Sequence, residues 1–319
     1  LIHVLFLSLI ISQDFPDKKF YKREKHAAKI MGRDDRKYGD HSGNRVLCRF
    51  YNHGSIGDQS SSFSGVYPIG SGHSYIWEFS PVVAASVVDT NGFRRHIVSD
   101  GISGLVDASP EGTPWSFEPL SGYSNPNQEN LAMSDNENSW PNSWPNRTED
   151  WNGEWNGQYG KYVRADQESY FVVDDRYNSE FEFWPDQNDI PEDPTVSPDE
   201  HRRGLGIEME ARGYQWNHPA AEDIIIVTYW ITNVGSSVLD SVVFGMYGDA
   251  DIGGASSFSD DDAWFDTEND MVYQWDHDNW SSSYGGFRPA YFGWSFLESP
   301  GNPHDGIDND GDGMIDESQ

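Results

Sequence analysis

The residues best suited to chemistry in this chain are the carboxylates near its C-terminal end. Asp308, Asp310 and Asp312 stand at alternate positions, Gly313 follows, and Asp316 comes four residues after Asp312. Calcium takes six to eight hard oxygen ligands from a loop, and alternate aspartates on a tight turn aim their oxygens at one centre. Gly313 falls where that turn needs a positive φ, Met314 where a backbone carbonyl serves, and Asp316 where a ligand binds directly or through water. The twelfth position, which ordinarily supplies a bidentate Glu, is Gln319; Glu317 or a residue beyond Gln319 would have to complete the set. The expectation is a weak calcium site, with Kd of ~10⁻⁴ to 10⁻³ M.

A second acidic cluster comprises Asp249, Asp251, Asp260, Asp261, Asp262 and Asp266, just after a strand-like run. Asp249, Asp251, Asp260, Asp262 and Asp266 form a second, weaker calcium candidate, set against solvated loop charge. His277 between Asp276 and Asp278 is a metal-like trio, and none of the ten histidines has an H-E-x-x-H spacing. Glu208 and Glu210 alternate on one strand, about 7 Å apart, with Tyr214 and Trp216 on the same face. Glycoside hydrolysis needs two carboxylates at such a separation across a cleft, but Arg212 beside Glu210 favours an ordinary charged face. Trp140, Trp144, Trp151 and Trp155 lie in a loop-rich stretch and offer rings for sugar stacking, set against a role as core. Neither a glycine-rich phosphate loop nor a serine nucleophile elbow is present.

The run Gly306-Ile-Asp-Asn-Asp-Gly-Asp-Gly-Met-Ile-Asp-Glu317 resembles the Asp-rich loops of thrombospondin type 3 repeats and dockerins, built on the EF-hand pattern. More closely, it is similar to repeats of large secreted bacterial proteins exported by type IX secretion. Gly248-Asp-Ala-Asp-Ile-Gly253, Asn52-His-Gly-Ser-Ile-Gly57, Asp166-Gln-Glu-Ser-Tyr170 and Gly204-Leu-Gly-Ile-Glu208 resemble the same proteins. The resemblance spans most of residues 44–317. It implies an extracellular location and a β architecture, and it implies no reaction.

Formal charge is −32 over 319 residues, and it is uneven. Residues 1–42 carry +3 and residues 43–319 carry −35, with Lys161 as the one lysine in the latter. Such a surface repels phosphate backbones and excludes nucleic acid as a partner. Trp, Tyr and Phe number 13, 16 and 17, so the core is expected to be aromatic. Cys48 is the single cysteine, so no intrachain disulfide forms, and a buried thiol is expected.

Residues 1–12 read as the apolar part of a secretory signal, too short to span a bilayer. Residues 13–42 read as a basic leader or linker, with a short helix over 18–31. Strands are expected at 45–51, 74–79, 82–89 and 94–99, the last two joined by an Asn-Gly hairpin turn at 91–92. Residues 126–160 hold repeated Trp, Pro, Asn and Gly, which excludes long regular elements; so long a loop is either a functional surface or an ordered wrap. Strands resume at 168–174, 206–216, 223–233 and 241–247, the third of these expected to be buried on both faces. The organisation expected is a β-meander at 43–125, the Trp-rich loop at 126–160, a β-sandwich at 161–300 and a calcium repeat at 301–319. The fold class is all-β, a sandwich with long decorated loops. The function expected is that of a secreted, calcium-stabilised structural or adhesive surface protein, non-enzymatic, meeting calcium and surface glycans or other extracellular proteins. A carbohydrate-binding module is the alternative, and a domain associated with a glycoside hydrolase the second alternative.

Overall fold

The computed structural model describes residues 3–10, 35–57, 64–103, 108–110, 112, 114–187, 190, 201–254 and 257–298. Its strands are β1 (His3–Ile10), β2 (Tyr38–His41), β3 (Cys48–Tyr51), β4 (Glu78–Val88), β5 (Arg94–Asp100), β6 (Glu118–Pro119) and β7 (Ala132–Met133). They continue as β8 (Gln167–Asp174), β9 (Ile207–Gln215), β10 (Ile224–Asn233), β11 (Asp240–Asp249), β12 (Asp261–Asp266), β13 (Met271–Asp276) and β14 (Tyr291–Glu298). Only strands and short 3-10 turns occur among the described residues, so the chain is all-β, as its short alternating runs imply.

A nine-stranded sheet runs β12-β13-β14-β1-β10-β9-β8-β6, with β7 also on β8, and a three-stranded sheet runs β11-β4-β5. The two sheets face each other across one core. Phe79, Val83, Ala85 and Val87 of β4 and Ile97 of β5 meet Phe171, Val173, Met209, Ala211, Val227, Tyr229 and Phe292 of the larger sheet. The period-2 alternation of β4 and β9 is therefore the code for this interface. Strands from the stretches expected as a meander at 43–125 and a sandwich at 161–300 contribute to one core. β4 pairs with β11 from Asp240↔Ser86 to Asp249↔Glu78, and both regions share the same hydrophobic cluster. Sequence distance hid this, because strands far apart in sequence can pair directly.

β1 lies in the stretch read as a secretory signal. It runs parallel to both β10 and β14, whereas the other strand pairs are antiparallel. The basic stretch at 11–34, with the helix expected over 18–31, lies outside the described residues. β10 was expected to be buried on both faces. Ile225, Val227 and Tyr229 are buried, but Ile224, Ile226 and residues 230–232 are only half-buried and Asn233 is exposed. The cover over the other face of the sheet is centred on β8 and β9 and does not extend equally over β10.

That cover is the Trp-rich stretch. Trp144 and Trp155 are buried with Leu120, Tyr123, Ala132, Tyr170 and Val172, and Trp140 and Trp151 pack against them half-buried. Glu168, itself buried, accepts hydrogen bonds from the Trp155 indole (2.7 Å) and from the N–H groups of Arg164 (2.6 Å) and Ala165 (3.1 Å). Beneath it, Asn146 donates to the Tyr170 hydroxyl, which donates to Glu210 at 3.0 Å, and Arg212 lies 3.9 Å over the Tyr170 ring. The long loop is an ordered wrap. Its polar backbone is satisfied by indoles and buried amides, as burial requires.

Cys48 is fully buried, and desolvation pushes its thiol up to about 12, so it acts as a small apolar side chain. His41, also fully buried, has its pKa lowered to about 3 by burial and places Nε2 2.8 Å from Ser169 Oγ. The close approach that lets these groups meet needs Gly213. A Cβ there would lie 2.6 Å from His41 Nε2, 2.8 Å from Ser169 Oγ and 2.9 Å from Phe50. Gly213→Ala is expected to cost about 1–3 kcal/mol through overpacking, read as a lower urea midpoint. An unchanged midpoint would show that the layer between β2 and β9 can part freely.

Candidate metal centre

Six aspartates converge where β11, the loop after it and the β12–β13 hairpin meet. Asp249 ends β11, and its carbonyl accepts the Trp77 N–H at 2.9 Å. The chain then turns inward, because Ala250 and Ile252 are buried in the main core. Gly253 and Gly254, at φ of 82° and 84°, reverse it, and the Gly254 N–H returns to the Asp251 carbonyl at 3.0 Å. The Ile252 N–H donates to Asp261 Oδ2 at 2.8 Å, which draws the loop onto β12.

The hairpin supplies the remaining carboxylates. β12 and β13 pair from Asp261↔Asp276 to Asp266↔Met271, so Asp276 stands opposite Asp261. Asp276 and Asp278 both accept the Trp280 N–H, each at 2.8 Å, on a turn with Asn279 left-handed at φ 58°. Ser257 donates its hydroxyl to Asp276 Oδ2 at 2.7 Å. Asp260, Asp276 and Asp278 each offer an oxygen, and the three lie within 4.8 Å of one another; Asp276 is buried and the other two are exposed.

The electrostatics of this corner are unbalanced. Desolvation raises Asp261 to about 7, with Asp276, Asp251 and Asp260 adding repulsion against the hydrogen bond from Ile252. Desolvation and then Asp249 raise Asp251 to about 6. Desolvation, with Glu78 adding to it against the Tyr247 hydroxyl, raises Asp249 as well. Asp261 Oδ1 is buried with no hydrogen-bond partner. Buried carboxylates are ordinarily paired or hydrogen-bonded, as Asp174 is with Arg176 and Arg202 at 2.9 and 2.5 Å. Here the unpartnered oxygen and the all-oxygen donor set fit a hard divalent cation of the calcium kind.

The candidate residues separate in space. Asp249, Asp251 and Asp260 come together. Asp262 instead sits 2.6 Å from His277 Nδ1, a contact that raises the His277 pKa at the exposed surface. Asp266 lies at the far end of the hairpin, where it accepts the Glu268 N–H and the Asn269 amide and caps the turn. Asp261, Asp276 and Asp278 take their places in the group. The trio Asp276-His277-Asp278 therefore contributes its two aspartates, while His277 faces Asp262. Short complementary strands at 261–266 and 271–276 were the signal that would have joined these residues. The terminal loop with Asp308, Asp310, Asp312, Met314 and Asp316 lies outside the described residues.

The residues of the other two candidate groups are engaged in packing and pairing. Trp144 and Trp155 are each 2% exposed, and the Trp140, Trp144 and Trp155 rings pack on one another at 5.4 and 6.1 Å. Of the set Trp140, Trp144, Trp151 and Trp155, the second and fourth are core, and the other two pack half-buried against them. Apolar area buried against β8 outweighs any advantage of exposure. Glu208 pairs with Arg202 at 3.3 Å and Glu210 accepts the Tyr170 hydroxyl, so both are engaged in structural contacts.

No family model, no curated protein and no solved structure matches the chain. The fold is all-β, with sheets packed as in a sandwich, and it carries an Asp-rich corner. No helix among the described residues is long and apolar enough to cross a membrane.

Proposed function

We propose that this chain is a secreted, calcium-stabilised structural or adhesive protein, working without an enzymatic reaction. The observation that carries the reading is the buried, unpartnered Asp261 Oδ1 amid Asp251, Asp260 and Asp276. Asp260, Asp261, Asp276 and Asp278 would hold the ion, with Asp249 and Asp251 close by. A bound calcium supplies the positive charge this corner lacks, and ties the loop after β11 to the β12–β13 hairpin. The Asp-rich run at 308–316 supplies a second, weaker site by its spacing alone. While the apolar stretch at 1–12 contributes β1 to the sheet, secretion is supported by the high negative charge and the resemblance of the Asp-rich run to exported repeats. It suits a setting where calcium is plentiful and disulfides are unused.

The test is thermal unfolding of the full chain in calcium and in chelator. At calcium 100 times Kd one site adds ~2.7 kcal/mol, a midpoint rise of about 5 °C for a domain of this size. A rise lost in the Asp260→Asn, Asp278→Asn double variant assigns it to the Asp-rich corner. A rise lost instead in Asp310→Ala assigns it to the terminal loop. No rise in the unsubstituted chain overturns the calcium reading.

A further inference from the structure

The β12–β13–β14 meander carries a row of aromatic rings on one face, away from the Trp core. Residues at alternate positions share a face of a sheet. Asp262 and Trp264 of β12 thus align with Tyr273 and Trp275 of β13 and Tyr291 of β14, through the pairs Trp264↔Tyr273, Asp262↔Trp275 and Tyr273↔Gly293. Trp264 is 63% exposed, and Tyr273, Trp275 and Tyr291 are half-buried. Tyr273 and Trp275 lie 5.5 Å apart with planes inclined by 34°, and Trp275 and Tyr291 lie 5.9 Å apart at 25°. Tyr273 and Tyr291 lie 6.1 Å apart at 47°, so the rings make a contiguous slab with planes inclined to one another by 25–47°. Gly293, opposite Tyr273, adds no side chain to obstruct it.

We propose that this face binds a neutral polysaccharide through its pyranose rings. The apolar faces of such rings present C–H groups of slight positive polarity, which match the negative face of an aromatic ring. The border of the slab supplies hydrogen-bond acceptors. Asp262 stands at one end, already engaged by His277, and Asp266 at the other, engaged by Asn269 and the Glu268 N–H. Carboxylates with a partner in place retain lone pairs for hydroxyl donors. They offer a cationic chain less bare charge than an unpaired acid would. The −32 charge of the chain repels nucleic acid and uronate polymers, so the charge that fits the face is a neutral, hydroxyl-rich one. An aromatic surface this open is otherwise an aggregation liability. The inference rests on the aromatic face and is independent of the proposed cation.

The experiment is affinity electrophoresis of the full chain in gels containing soluble neutral polysaccharides (a mixed-linkage β-glucan, a xylan and a glucomannan), with polygalacturonate as the anionic control. Retardation by at least one neutral polymer and none by polygalacturonate is expected. Trp264→Ala should weaken the retardation about tenfold, by the scale of one lost ring contact, while Val242→Ser leaves it unchanged. Trp264 is largely exposed, so its variant should melt with the parent chain, and a matching melt separates loss of binding from loss of fold. Three results would each overturn the proposal: no neutral polymer retards the chain, Trp264→Ala binds as well as the parent, or light scattering finds a dimer that Trp264→Ala dissociates. The last would make the face a contact between copies.

Discussion

Trp155→Ala should lower stability by about 3–5 kcal/mol, the range for removing a large ring from a packed site. The ring is 2% exposed and touches Trp140 and Trp144, so the cavity would open at the centre of the wrap. A second loss is polar. Glu168 would keep the N–H groups of Arg164 and Ala165 but lose the indole at 2.7 Å, in a site with almost no access to water. Trp155→Phe separates the two effects. It retains much of the apolar volume and deletes the donor, and should cost about 1–3 kcal/mol. Guanidinium unfolding followed by near-ultraviolet dichroism reads both. If Trp155→Ala unfolds within about 1 kcal/mol of the parent chain, the wrap is a loose cover and not a second core.

The other large effect is a stability that falls with rising pH when calcium is absent. Burial holds Asp251 at about 6 and Asp261 at about 7 in the folded chain, above the ~4 of an exposed carboxylate. Between those values the folded chain binds more protons than the unfolded one, so stability declines as pH rises. The contribution is fully present below about 4 and is lost as pH passes through 6 and 7. Both groups are half-buried, so solvent screening reduces the combined effect to about 2 kcal/mol. Calcium requires the ionised forms and competes with these protons. Its stabilisation should therefore be small at pH 5 and large at pH 8. Asp175, raised to about 6 by burial and then by Asp174, slopes the same way. It accepts the N–H groups of Leu205 and Ile207 and takes no part in the Asp-rich corner. Asp261→Asn separates its own share: it should remove most of the calcium response and leave the slope from Asp251 and Asp175. A melting midpoint in chelator that stays flat from pH 5 to 8 would refute this account of the corner.

The all-β class was legible because period-2 alternation is a local property of the chain. The run from Ile207 to Gln215 alternates at its start, and the Asn-Gly pair at 91–92 turns β4 into β5. The buried state of Cys48 was legible for a similar reason: a lone thiol in an apolar strand has little else to do. The wrap was left open. Trp spaced by Pro, Asn and Gly has the same composition whether the rings face water or a sheet, and only the bare face of β8 and β9 decides between the two.

The core expected to be aromatic is so only in the wrap over β8; in the main cluster Phe and Tyr supply nine of 28 buried residues and aliphatic side chains most of the rest. What the sequence by itself determined about this protein is its strand content, its acidity and its abundance of aspartates. These follow from composition and short-range spacing. The tertiary structure decided which aspartates share a corner. Asp261 and Asp276 are fifteen residues apart in the chain and face each other only because β12 pairs with β13. It also decided which tryptophans are covered, burying Trp144 and Trp155 while leaving Trp264 on an open face. Burial and carboxylate repulsion depend on distances through space, and those are set when the sheets close.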